Sequence, residues 1–322
     1  MKNIFSKVGV ITRKGGQLTG VGLALIFIFI VSSLISRNFT TAYNFTIMSR
    51  DLAFYGMVAI AQGILLLMGY IDLSIGTLAG LSGVVTAKAL MQWGLNPLVA
   101  IALGLLTGAL CGFFNGMVIT TFNLNPLVLT IGSSTVFIGI NLLITKGKTI
   151  TGIPKVMTNL GIGSLFGIPI PDYFLLGLLL FAIFLTTRTV FGRNLFAVGN
   201  SIETAKLVGI KTKKLVVTAY VITSTIAALA GILMVFRLMS AQTTVGQTWL
   251  LPSIAAAVIG GIATTGGIGS ISGALIGAAI MVIIGNIVVL GGVNVYSQQI
   301  INGLIIIFAI TMDAVIRKYT KR

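Results

Sequence analysis

The chain has 322 residues, of which 56% are hydrophobic and 8% charged, with a net charge of +16. Soluble domains carry about 25% charge, so this composition reads as an all-α polytopic membrane protein, with its positive charges as topology signals rather than a nucleic-acid footprint. One cysteine, Cys111, and no histidine exclude an intrachain disulfide, a histidine-held metal site and a histidine general base.

Lys2, Lys7, Arg13 and Lys14 precede an apolar run from about Leu18 to Ile35. The run is longer than a signal-peptide core, and SSLISRNF has no small-x-small cleavage site. It reads as a first spanning helix with a cytoplasmic N-terminus. The apolar stretch from Leu52 to Met91 is too long for one crossing of about 20 residues. It breaks at GYIDLS, where Asp72 is placed to cap the next helix. Asn96-Pro97 opens a fourth span with a cap and a proline in the first turn, and Asn125-Pro126 opens a fifth, to about Thr145, in the same way. The fourth carries Gly104, Gly108, Gly112 and Gly116 at four-residue spacing, a flat face that lets another helix approach closely.

Lys146 to Asp172 holds three of the six prolines and reads as an external loop. A sixth span follows from Tyr173 to Thr187, and a seventh from Leu215 to Phe236. Leu251 to Ala263 covers only about 20 Å as a helix, against a hydrocarbon core of about 30 Å. It reads as a broken or half-crossing helix that must be buried in protein. Ile271 to Leu290 and Ile300 to Ile316 complete ten spans with both termini cytoplasmic. That side then takes four Lys/Arg at the N-terminus, six from Arg188 to Lys214 and four at the C-terminus; the other takes seven. This is the bias that cytoplasmic loops carry. DLSIGTLAGLSG (72–83) and GGIGSISGALIG (266–277) form a faint internal echo, with Gly76 and Gly80 matching Gly273 and Gly277.

The chain is thus a single transmembrane domain, residues 1–322, with one strongly polar cytoplasmic loop, 191–214. Within that loop Asn200 is read as an N-cap, Glu203 as its capping-box partner and Gly209 as the left-handed C′ residue of a helix from Ser201 to Val208. Two turns are too short to be stable alone in water. The segment is either a docking element, held by the membrane domain on one side and a soluble partner on the other, or a polar loop with an incidental turn.

Of the five acids, Asp51, Asp72, Asp172 and Glu203 fall at helix ends or in loops, Asp313 lies about one turn from the basic C-terminus, and none lies clearly mid-span. That argues against a proton- or sodium-coupled carrier and against an intramembrane hydrolase. The only GK[ST], at Gly147-Lys148-Thr149, has Leu142 where a phosphate-binding loop requires glycine. ATP is therefore expected on a separate subunit, and no cofactor on this chain. Polar groups within spans, Gln62, Asn115, Asn141 and Asn286, with Phe137 nearby, suit a path for a neutral polyol. The same amides would also serve as ties between helices.

Seven stretches carry a specific resemblance: GYIDLSIG (69–76), TIG (130–132), FGRNLFAVGN…ETAKLVGI (191–210), AALAGIL (227–233), SAQTTVG (240–246), IAAAVIGGIATTGGIGSISGALIGA (254–278) and YSQQIINGLIII (296–307). From Gly69 onward the chain resembles the permease subunit of bacterial ABC sugar importers of the ribose type. The resemblance implies a multi-pass inner-membrane protein that is not an enzyme, in a homodimeric or heterodimeric permease core. It implies cytoplasmic ATPase subunits and a periplasmic or lipoprotein sugar-binding protein as partners. It also makes Gly199 to Gly209 the coupling region, with Gly199, Asn200, Ser201, Glu203, Ala205, Lys206 and Gly209 as its residues. Ribose-like members usually carry a basic residue where Ile138 stands, and often acids where Leu250 and Pro252 stand. The implied solute is therefore a monosaccharide or sugar-like molecule rather than ribose in particular. A stand-alone secondary carrier or facilitator for a small polar solute is the alternative.

Overall fold

The computed structural model describes residues 2–292 and positions 294, 297, 300, 301, 303, 304, 307 and 311, with side chains from Leu18 onward. Most of the expected tenth span, with Asp313 and the basic C-terminus, lies outside the described residues. Among the described residues, seven helices are long and apolar enough to cross a membrane. They are α1 (Lys2–Ile35), α2 (Ala42–Leu67), α4 (Pro97–Phe122), α5 (Pro126–Thr145), α7 (Ile170–Arg188), α10 (Thr212–Leu238) and α12 (Ile271–Leu290). Two shorter apolar helices, α3 (Ile75–Met91) and α11 (Leu250–Ile259), lie among them.

Local chemistry explains the boundaries. Thr41 caps α2 by accepting from the Asn44 amide. Asn96 and Asn125 cap α4 and α5, each taking the N–H two residues on at 2.9 Å, with proline next in line. Asp72 sits at the start of α3, where its Oδ1 accepts from the amide and hydroxyl of Ser74. The cap position itself belongs to Ser74. The 146–172 segment is more ordered than its prolines suggest. It folds as β1 (Ile150–Thr151), α6 (Lys155–Ile162) and a tight hairpin of β2 (Ser164–Leu165) with β3 (Ile168–Pro169). β1 pairs antiparallel with β4 (Ser240–Ala241), just after α10. These elements define one end of the molecule, the strand end. The opposite, junction end carries the 68–74 loop, the α4–α5 turn, α8 (Val190–Asn200), α9 (Ile202–Leu207) and the 260–270 loop.

Helices α2, α3 and α10 form the interior, and α4, α5 and α7 pack around them with apolar sides left for lipid. The glycine face of α4 is fully used. Side chains at Gly104 and Gly112 would run into α3 and α10, one at Gly108 would lie 2.8 Å from the Ser224 carbonyl, and one at Gly116 would lie 2.8 Å from Val217 Cα. The internal echo has the same physical content in both halves. Gly76 and Gly80 admit the backbone carbonyls of Gly246 and Val245 against α3; Gly273 and Gly277 admit those of Gly260 and Ala256 against α12.

α11 has ten residues, about 15 Å of helix. The chain then reaches the junction end in irregular backbone, where the Gly267 amide donates to the Leu67 carbonyl at 2.8 Å. Irregular backbone at membrane depth is tolerated only where protein covers it. Here α2 and α12 pack against α11 and supply that cover.

Candidate coupling site

The polar 191–214 segment folds as two short helices. Thr189 accepts from the Gly192 amide at 3.2 Å and starts α8. Leu195 and Val198 give α8 a buried side, with Phe191 and Phe196 flanking it. The chain breaks at Ser201, which is extended (φ −163°, ψ 114°) and whose Oγ accepts from the Thr204 amide at 3.2 Å. Ser201, not Asn200, is therefore the N-cap of α9. Asn200 is still the last residue of α8, and its side-chain amide bonds back to the Phe196 carbonyl at 2.7 Å. Shifting the cap by one residue moves Glu203 to the second helical position, out of capping-box register, and leaves it among the free N–H groups of the first turn. Gly209 has φ +83° and closes the helix as expected. Its amide donates to Lys206 O and that of Ile210 to Ala205 O, both at 3.0 Å.

The six residues of α9 have two distinct faces. Ala205 is 2% exposed and seats the helix on the membrane domain. Leu207 and Val208 are 87% and 71% exposed, and Ile202 is half-exposed. Lys206, Lys211, Lys213 and Lys214 stand exposed around them. Among the described residues the one ion pair is Arg237–Asp51, at the strand end, so these lysines present their charge outward. The result is a small apolar knob ringed by cations.

Behind the knob the backbone is clamped. A side chain at Gly199 would run into the Leu67 carbonyl at the end of α2 and the amide of Gly267. A side chain at Gly266 would lie 2.6 Å from the Gly69 amide, and one at Gly267 2.7 Å from Asn200 Oδ1. The end of α8, the end of α2 and the loop leading into α12 thus meet backbone to backbone. Beside them is a cavity of about 470 Å³ reaching Tyr70, Asn123, Lys206 and Lys213. The end of α8 is thus joined through close-packed backbone to the end of α2 and to the loop entering α12.

The five candidate path residues lie on four helices, and Phe137 and Asn141 share a buried face of α5. Gln62 is fully enclosed in α2, with neither amide atom hydrogen-bonded among the described residues. Asn115 is buried on α4 and donates to Ser74 Oγ at 2.9 Å. Phe137 and Asn141 lie on the buried side of α5, the latter reaching toward the Thr243 carbonyl at 3.5 Å. Asn286 exchanges two amide hydrogen bonds, of 2.8 and 3.0 Å, with Asn44, and so ties α12 to α2. Sequence reasoning missed α8, although Thr189 and the 191/195/198 spacing signal it. It also missed the outward role of Leu207 and Val208 and the contributions of Leu67, Gly266 and Gly267.

Residues 44–310 match the family described as branched-chain amino acid transport system / permease component. The ribose import permease protein of Bacillus subtilis (strain 168) is 34% identical over 302 residues, 92% of this chain and 92% of that protein. The D-allose transport system permease protein of Escherichia coli (strain K12) is 34% identical over 294 residues, 91% of this chain and 90% of that one. An autoinducer 2 import system permease protein of Yersinia pestis is 30% identical over 300 residues, 93% and 85% of the two chains. No solved structure matches.

Proposed function

Because this chain belongs to the family of branched-chain amino acid transport system permease components, we propose that it is the membrane-spanning subunit of an ATP-driven importer for a monosaccharide or sugar-like solute. It is a multi-pass protein of the bacterial inner membrane, and a separate cytoplasmic ATPase binds the ATP. The relatives named for ribose, D-allose and autoinducer 2 support the solute class. The observation that carries the coupling role is the exposed Leu207–Val208 knob, backed by the glycine clamp onto α2 and α12. An ATPase cleft that holds the knob grips both helices through backbone contacts. Gly199, Asn200, Ser201, Glu203, Ala205, Lys206 and Gly209 build this element, and Leu207 and Val208 touch the partner.

The junction end faces the cytoplasm in this reading, with both termini there and ten spans in all. The charges support it physically. At the strand end Arg50 donates to the Ile162 carbonyl, Lys88 to the Ile144 carbonyl and Arg237 to Asp51. Those three serve the fold and leave Arg37, Lys146, Lys148 and Lys155 exposed there, against six exposed at the junction end, Arg188, Arg193, Lys206, Lys211, Lys213 and Lys214. A second permease copy and an external sugar-binding protein complete the importer.

The test is purification after co-expression with the ATPase and binding protein encoded beside it. A stable complex whose ATP hydrolysis rises with sugar-loaded binding protein is the expected result. Sugar uptake by this chain alone in ATP-free vesicles would establish the stand-alone carrier instead.

A further inference from the structure

A groove of about 190 Å³ runs between α2 and α12 toward the strand end. From α2 it is lined by Ile47, Asp51 and Tyr55, one face at four-residue spacing; from α12 by Met281, Gly285 and Asn286 among others; Pro252 of α11 closes it. Asp51 lies about 14 Å along α2 from its first residue. It pairs with Arg237 in the last turn of α10, near the strand end, and its side chain, 36% exposed, lines the groove. Asp51 is held in place, because its Oδ1 accepts from Arg237 Nη1 at 2.7 Å. Its second oxygen has no hydrogen-bond partner among the described residues.

We propose that this groove is a contact point for one neutral, polyhydroxylated molecule on its way through the protein, with Asp51 and Tyr55 as its hydrogen-bonding residues. The chemistry selects that class. The Asp51–Arg237 pair cancels its own charge, so the groove attracts neither anions nor cations. A carboxylate oxygen and a phenol offer acceptors and a donor to neighbouring hydroxyls. Pro252, Met281 and Val282 supply an apolar wall for the C–H face of a sugar ring. Tyr55 packs edge-on to the buried Trp249, ring centroids 6.5 Å apart, which fixes its ring. The walls of the groove are α2 and α12, the two helices reached by the glycine clamp at the junction end. Movement of α8, which carries α9 at its end, therefore reaches both sides of the contact point. This inference rests on the permease reading and adds the location and residues of the contact.

The experiment uses the full chain with its ATPase and binding protein, in a Cys111→Ala background. Ile47→Cys and Met281→Cys are labelled with a hydrophilic methanethiosulfonate, with Leu110→Cys, mid-span and exposed toward lipid, as the control. Groove cysteines should react at least about tenfold faster than the control, because thiolate chemistry needs water. Tyr55→Phe and Asp51→Asn are then assayed for uptake, on whichever of D-ribose, D-allose and D-fructose the intact complex transports. Each should raise KM about three- to tenfold, the worth of one lost hydrogen bond, with ATPase co-purification unchanged. If Asp51→Asn fails to fold, Tyr55→Phe carries the measurement, since it removes one oxygen and no volume. Groove cysteines labelling no faster than Leu110→Cys would overturn the proposal, as would fast labelling with unchanged KM in Tyr55→Phe. Failure of the wild-type chain to bind its ATPase would instead sink the permease reading itself.

Discussion

Gly108 acts through the side chain it lacks: with Gly104, Gly112 and Gly116 it lets the backbone of α10 reach α4. Gly108→Leu should destabilise the fold by about 1–3 kcal/mol or more through overpacking, read as a lower yield of folded protein in detergent; wild-type yield would mean that the two helices do not meet there. At the coupling site the residue scale separates neighbours that look alike in sequence. Ser201→Ala removes the hydroxyl that caps α9, a loss of about 0.5–2 kcal/mol, and should lower uptake. Asn200→Ala removes only a bond within α8 and should lower it less; the reverse order would return the cap to Asn200. Ala205 shows what spacing alone does not tell. It is small, central and polar-flanked, and so reads as a surface residue, yet it is the one buried side chain of α9. Which face of a six-residue helix turns inward depends on what lies beneath it, and that comes from α8 and α10.

At the scale of elements, the sequence was most legible where local chemistry decides. The asparagine–proline starts of α4 and α5, the break at GYIDLS and the glycine face of α4 all follow from a few adjacent residues. It was least legible where distant backbone segments meet. The clamp joins Leu67, Gly199 and Gly267, and the Asp51–Arg237 pair joins residues 186 apart in sequence. A glycine run does not say which carbonyl it will admit. The clamp makes a prediction of its own. Gly199→Val would push α8 away from two unyielding backbones while leaving Leu207 and Val208 in place. ATPase co-purification should persist and uptake should fall. Wild-type uptake in that variant would show that force does not travel through this contact.

At the scale of the whole molecule, the junction end exposes more cations than the strand end, and labelling tests the proposed sidedness. With Cys111→Ala, a cysteine at Lys155 should react with an impermeant thiol reagent on intact cells. One at Lys206 should react only after permeabilisation, and labelling there from outside would invert the topology. The central claim is that this chain is driven by an ATPase seated on the α9 knob. The most direct test is the Leu207→Asp, Val208→Asp double variant, which places two carboxylates on a surface already 87% and 71% exposed and so spares the fold. The account expects normal expression, loss of ATPase co-purification and loss of sugar uptake together; retention of both at wild-type levels would contradict it.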